Sequence, residues 1–162
     1  MPKGEALLQL GTGLEEASSG SRAQGGKDAK AGPRDPDAKD YFQERDGQRF
    51  AGTHLIVDLW DAGRLDDRAH LEATLRACVA AAGATLLHLH LHRFTPQGGI
   101  SGVAVLAESH ISIHTWPERS YAALDVFMCG DTEPQAAIAV LRRAFPSARL
   151  VVEEHLRGRV EA

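Results

Sequence analysis

The chain has 162 residues and a mass of 17.4 kDa, 43% of it hydrophobic, which allows one domain with a real core plus a tail. A formal charge of -4 and an isoelectric point near 6.0 leave no basic surface, so neither nucleic acid nor an anionic membrane is favoured as a partner. No apolar run is long enough to span a bilayer and the N-terminus lacks a signal-peptide pattern, so the expectation is a soluble, cytoplasmic protein.

Residues 1–49 are rich in Gly, Lys, Asp, Ser and Ala with interspersed Pro, and they show no sustained period after Ala6–Leu10. Such composition buries too little apolar area to offset the entropy of ordering it, so 1–49 is expected to be a disordered extension, or the product of an early start codon, with the domain spanning 50–162. A strand then runs from His54 to Trp60 and closes on Asp61-Ala62-Gly63. Asp66 or Asp67 offers an N-cap to a helix carrying Leu71, Leu75, Cys78, Val79 and Ala82 at helical spacing, and Gly83 stops it.

Leu87, Leu89 and Leu91 alternate with His88, His90 and His92, which predicts a strand with three imidazoles on one face. Such a trio could chelate a metal, yet no carboxylate or cysteine ligand motif accompanies it, and no metal is assigned. Thr95–Gly99 reads as a loop. Strands follow at Ile100–Leu106, Ser109–Trp116 and Tyr121–Cys129, with short connections that make the series antiparallel. Asp131-Thr132-Glu133-Pro134 predicts a capped helix start with an early proline, leading into Ala137, Ile138, Val140, Leu141, Ala144 and Phe145, and Arg149–Leu156 is a last strand. The sum is an α+β sandwich, one antiparallel sheet with two helices on one face. Its other face must bury apolar atoms too, which a dimer would accomplish.

Cys78 falls on the apolar stripe of the first helix, and with Cys129 it forms no metal-type spacing, so both are expected as free thiols. The densest chemistry lies in Ala107–Glu118, where two acids, two serines, two histidines and a threonine sit between apolar segments. By periodicity alone this is a strand with one polar face.

The string Glu108-Ser109-His110-Ile111-Ser112-Ile113-His114-Thr115-Trp116-Pro117-Glu118, followed by Tyr121-Ala122-Ala123-Leu124-Asp125-Val126-Phe127-Met128-Cys129-Gly130, resembles the short prokaryotic form of S-adenosylmethionine decarboxylase, a self-cleaving, pyruvoyl-dependent enzyme. His92-Arg93-Phe94 and Ser101-Gly102-Val103 match the same family in the same order, and the resemblance runs from about Thr53 to Gly158. It implies cleavage between Glu108 and Ser109, with Ser109 converted to a covalent pyruvoyl group that takes the substrate amine and acts as electron sink. His114 would accept a proton during processing, helped by Ser101, and Cys129 would return a proton after decarboxylation. Phe94 would stack on adenine and Glu118 would accept hydrogen bonds from the ribose. The implied assembly is a homodimer of cleaved two-chain protomers with S-adenosylmethionine as substrate, in polyamine (spermidine) biosynthesis.

The residues add their own evidence. From Thr53 onward there is no lysine, so a pyridoxal Schiff base has no anchor. Strand alternation puts Ser109 and His114 on opposite faces, so for His114 to serve Ser109 the chain is expected to bend or bulge near the cleavage bond. Two departures from the family, the Gln97-Gly98-Gly99-Ile100 loop and Asp58 in place of Glu, bear on the substrate and keep arginine or ornithine open as alternatives. A non-catalytic, metal-binding dimer built on His88, His90 and His92 is a further alternative.

Overall fold

Strand alternation organises residues 41–96 and 98–160, the part of the chain that the structure, a computed structural model, describes. A hairpin comes first: β1 (Gln43–Arg45) and β2 (Gln48–Phe50) pair antiparallel across Asp46-Gly47, whose φ angles are 52° and 75°. Two left-handed residues in a two-residue loop give the twist that a tight hairpin requires. This corrects the expectation for 1–49, because its end is ordered into strands; residues 1–40 lie outside the described residues.

The chain continues through β3 (Gly52–Trp60), α1 (Arg68–Ala81), β4 (Leu86–Arg93), β5 (Ile100–Leu106), β6 (Ser109–Trp116), a 3-10 turn at Pro117–Arg119, β7 (Tyr121–Met128), α2 (Gln135–Ala144) and β8 (Arg149–Arg157). Of the two candidate caps for α1, Asp67 is the one used, its carboxylate accepting from the His70 N–H at 3.0 Å, and Gly83 with φ 70° follows the helix end. The helix α2 departs from expectation: Pro134 occupies its cap position and no side chain caps it. Thr132 instead turns its hydroxyl back onto the carbonyl of Cys129 at 3.0 Å.

Six strands form one sheet in the order β4-β5-β6-β7-β3-β8, antiparallel at every pairing. Leu55, Val57 and Leu59 of β3, Ile111 and Ile113 of β6, and Leu124, Val126 and Met128 of β7 are buried with Leu71, Leu75 and Val79 of α1 and Ile138 and Leu141 of α2. The two helices therefore cover one face of the sheet, as expected for this α+β class. Each fully buried aliphatic side chain contributes about 1.5–3 kcal/mol, which is what holds the strands in register. Gly102 is required by this packing, since a Cβ there would lie 2.1 Å from Leu91 and 2.6 Å from the His90 carbonyl.

Among the described residues the opposite face carries no helix. Cross-strand register places His88, Val105, His110, Phe127, His54 and His155 in one row, and His92, Ser101, His114, Ala123, Asp58 and Val151 in another. On the same face Ile56, Trp60, Val105, Trp116 and Val151 are exposed large hydrophobics, from 38% to 41% accessible. Two carboxylates on this face take internal donors: Asp125 takes the Ser112 hydroxyl at 2.9 Å and His54 Nε2 at 3.1 Å, and Asp58 takes the Tyr121 hydroxyl at 2.6 Å. That last bond pushes the Tyr121 phenol up to about 12. Among the described residues no helix is long and apolar enough to cross a membrane.

Candidate active site

The connection between β5 and β6 is two residues long, Ala107-Glu108, so the peptide joining Glu108 to Ser109 sits at the mouth of a tight hairpin. Ser109 enters β6 with φ 152°, a conformation that side chains other than glycine rarely adopt. Backbone strain thus lies on the residue that directly follows the Glu108–Ser109 peptide. The Glu108 carbonyl oxygen accepts from the Cys129 N–H at 3.1 Å and from Cys129 Sγ at 2.9 Å. Two donors on one carbonyl oxygen polarise its carbon toward a nucleophile and would hold the oxyanion that an attack creates.

The Glu108 side chain is fixed as well. Its two oxygens accept from the Thr85 N–H at 2.8 Å and the Thr85 hydroxyl at 3.1 Å, and the backbone donor above all holds this carboxyl below the usual carboxylate range. Thr85 was not singled out in the sequence, because a threonine after a helix-ending glycine reads as ordinary loop. Cys78, by contrast, is buried in the core, where desolvation pushes its thiol up to about 12 and leaves it inert.

Ser101 and His114 form a second cluster. They are register partners on β5 and β6, and Ser101 Oγ lies 2.8 Å from His114 Nδ1. With Nδ1–H donating to Oγ, the Nε2 lone pair is free to accept a proton. Beside this pair, Phe94, Gly99, Thr115, Trp116 and Glu118 line a cleft of about 210 Å³, so the two expected substrate residues share one surface with the expected base. Buried Thr115 holds that end together, donating to the Leu65 carbonyl at 2.9 Å and accepting from the Ile100 N–H at 2.8 Å.

The two clusters are not adjacent within one chain. β6 pairs with β7 residue for residue from Ser109 to Trp116, without the bulge expected between Ser109 and His114. At about 3.4 Å per residue, five steps of strand separate them by roughly 17 Å. The irregularity is confined to the φ of Ser109, so His114 does not reach the Ser109 of its own chain. The three β4 histidines are exposed, with the rings of His88 and His90 stacked 6.5 Å apart, and no group of three potential ligands among the described residues is arranged to hold a metal ion.

A profile described as S-adenosylmethionine decarboxylase matches residues 53–158, about two thirds of the chain and all of the six-stranded sheet except Gly52. The chain belongs to the S-adenosylmethionine decarboxylase family. It is 48% identical over 110 residues to the S-adenosylmethionine decarboxylase proenzyme of Thermomicrobium roseum, covering 67% of this chain and 95% of that one. It is 58% identical over 96 residues to the protein of the same name from Parasynechococcus marenigrum, covering 57% and 74%. The crystal structure of the adenosylmethionine decarboxylase from Aquifex aeolicus superposes with a TM-score of 0.61 at 34% identity, covering 69% of this chain and 94% of that one. Every candidate site residue falls inside the part shared with the S-adenosylmethionine decarboxylase family, whereas the β1–β2 hairpin lies outside it.

Proposed function

We propose that this chain is a self-cleaving, pyruvoyl-dependent carboxy-lyase that converts S-adenosylmethionine to decarboxylated S-adenosylmethionine, the aminopropyl donor of spermidine synthesis. The observation that carries this reading is the pair of Cys129 donors on the Glu108 carbonyl, next to a strained Ser109 that directly follows the two-residue turn.

From that geometry the residues have a sequence of tasks. Ser109 Oγ gives up its proton and attacks the Glu108 carbonyl carbon while Cys129 N–H and Sγ–H hold the oxyanion. The C–N bond breaks, its nitrogen takes a proton, and Glu108 is left esterified to Ser109. A base then removes the Ser109 Cα proton, the Glu108 carboxylate leaves from Cβ to give an enamine that shifts to an imine, and addition of one water with expulsion of ammonia leaves a ketone at the new N-terminus. The Thr85 bonds keep the departing Glu108 in place throughout. That pyruvoyl group supplies the electron sink for loss of carbon dioxide, a task for which the domain has no pyridoxal-anchoring lysine. Cys129 Sγ, already at this turn, is positioned to return a proton to the substrate carbon.

The base has to come from outside the chain that is cut. The helix-free face exposes Ile56, Trp60, Val105, Trp116 and Val151, which suits burial against a second copy. A two-fold axis crossing β6 near Ser112 sets one protomer's Ser101–His114 end over the partner's Ser109–Cys129 end, with about 10 Å between the sheets. We infer a homodimer in which each site takes nucleophile and thiol from one protomer and base, aromatic and ribose acceptor from the other. Free thiols at Cys78 and Cys129 fit a reducing, cytoplasmic setting.

The test is release of labelled carbon dioxide from carboxyl-labelled S-adenosylmethionine, run beside labelled arginine and ornithine. The expected result is release from S-adenosylmethionine alone, by protein that migrates as two chains after denaturation. Release from arginine or ornithine instead would overturn the substrate and keep the cleavage chemistry.

A further inference from the structure

The family match begins at Thr53, yet Gln43 of the β1–β2 hairpin just before it contacts the residue that follows Cys129. Gly130 follows Cys129 directly, and its φ of 66° turns the chain out of β7. The Gly130 N–H donates to the Tyr41 carbonyl at 3.2 Å, and the Gly130 carbonyl accepts from Gln43 Nε2 at 2.5 Å. With the Cys129 N–H on Glu108 and the Cys129 carbonyl on Thr132, all four backbone polar atoms of Cys129-Gly130 are held, each by a different residue. Tyr41 and Glu108 also line one small cleft with Gly130 and Thr132.

Taking the self-cleavage reading as its basis, we propose that Gln43 is a positioning residue for the Cys129 donors. Its side-chain amide fixes the Gly130 peptide and so sets where the Cys129 N–H and thiol meet the Glu108 carbonyl. Gln43 touches neither the reacting bond nor the substrate cleft at Phe94 and Glu118; it acts through the residue after the thiol. The segment upstream of the shared domain is then part of the active-site scaffold of this chain.

A merely structural hairpin would show the same sensitivity at both ends. Gln48 anchors the other end, donating from Nε2 to the Val160 carbonyl at 2.9 Å. Gln43→Glu keeps the shape of the side chain, removes the donor and sets a carboxylate against the Gly130 carbonyl; Gln43→Ala removes the contact altogether. Full-length wild type, Q43E, Q43A and Q48A are to be compared for cleavage rate of fresh precursor and for the kinetics of the matured enzyme.

The expected result is cleavage about tenfold slower in both Gln43 variants, near-wild-type cleavage in Q48A, and a Gln43 effect on kcat with KM unchanged, because a small displacement of catalytic donors is felt in rate. Wild-type cleavage rates in both Gln43 variants would overturn the inference while leaving the proposed function standing. Equal slowing in Q48A would overturn it as well, showing that general docking of the hairpin matters. If wild type itself stays one chain and releases no carbon dioxide, the proposed function falls and this inference with it.

Discussion

Ser109→Ala is expected to leave the chain whole and to abolish carbon dioxide release completely. The two losses have one cause: without Oγ nothing attacks the Glu108 carbonyl, and without the attack no ketone is made. An ordinary active-site substitution leaves some residual turnover, but here the variant lacks the means of making its own electron sink. Denaturing electrophoresis and the labelled-substrate assay read both losses. Two chains from this variant would place the cut elsewhere. Cys129→Ala gives the contrasting result, because the substitution removes the thiol and keeps the backbone N–H on the same carbonyl oxygen. Cleavage is expected to slow by about tenfold, below the 10²–10³ typical of a strong oxyanion donor because a thiol donates weakly. Decarboxylation by whatever material matures should fall much further.

The second large effect comes from mixing two dead proteins. His114→Ala, whose partner cannot be deprotonated by the missing imidazole, and Ser109→Ala are each expected to remain uncut as homodimers. Co-expressed with distinguishable tags, they form mixed dimers holding one complete site, in which the His114→Ala chain carries Ser109 and faces an intact His114. The His114→Ala chain should then be cut, the Ser109→Ala chain never, and activity should return to roughly one quarter of wild type if protomers pair at random. The separation of roughly 17 Å along β6 is the basis for expecting trans action. Absence of any cut chain in the mixture would mean that the imidazole serves its own Ser109 after a rearrangement of the strand.

Much of this was legible in the sequence, for reasons that can be given residue by residue. Period-two runs such as Ile111/Ile113 and Leu124/Val126 mark strands because one sheet face is buried, and Leu71, Leu75 and Val79 mark a helix for the same reason at a different period. Short connections then force antiparallel pairing. The α1 cap could be narrowed only to Asp66 or Asp67, since both side chains are chemically able to cap and the choice depends on backbone angles.

The hairpin was readable and was missed. Asp46-Gly47 is a strong two-residue turn signal, but the polar composition around it outweighed a two-residue motif. The site divides in the same way. The cleavage string names Ser109, His114 and Cys129 and its spacing already parts Ser109 from His114 along one strand, but nothing in it reports that the strand stays in regular register where a bulge is expected. The Thr85 grip on Glu108 and the Gln43 grip on Gly130 join residues 23 and 87 positions apart, a kind of contact that only the folded sheet creates.

The turn at Ala107-Glu108 has one more consequence. A cut there severs a two-residue loop between two strands that stay paired from Ser101↔His114 to Leu106↔Ser109, so the matured protomer becomes a split protein with its seam inside the sheet. β1 to β5 and α1 would belong to one polypeptide, and β6 to β8 and α2 to the other. What was an intramolecular ladder would become an association between fragments, so that recovery from denaturation would be opposed by dilution as well as by chain entropy. Maturation would be a one-way passage, from a precursor able to fold by itself to an enzyme that keeps its shape only by never letting go.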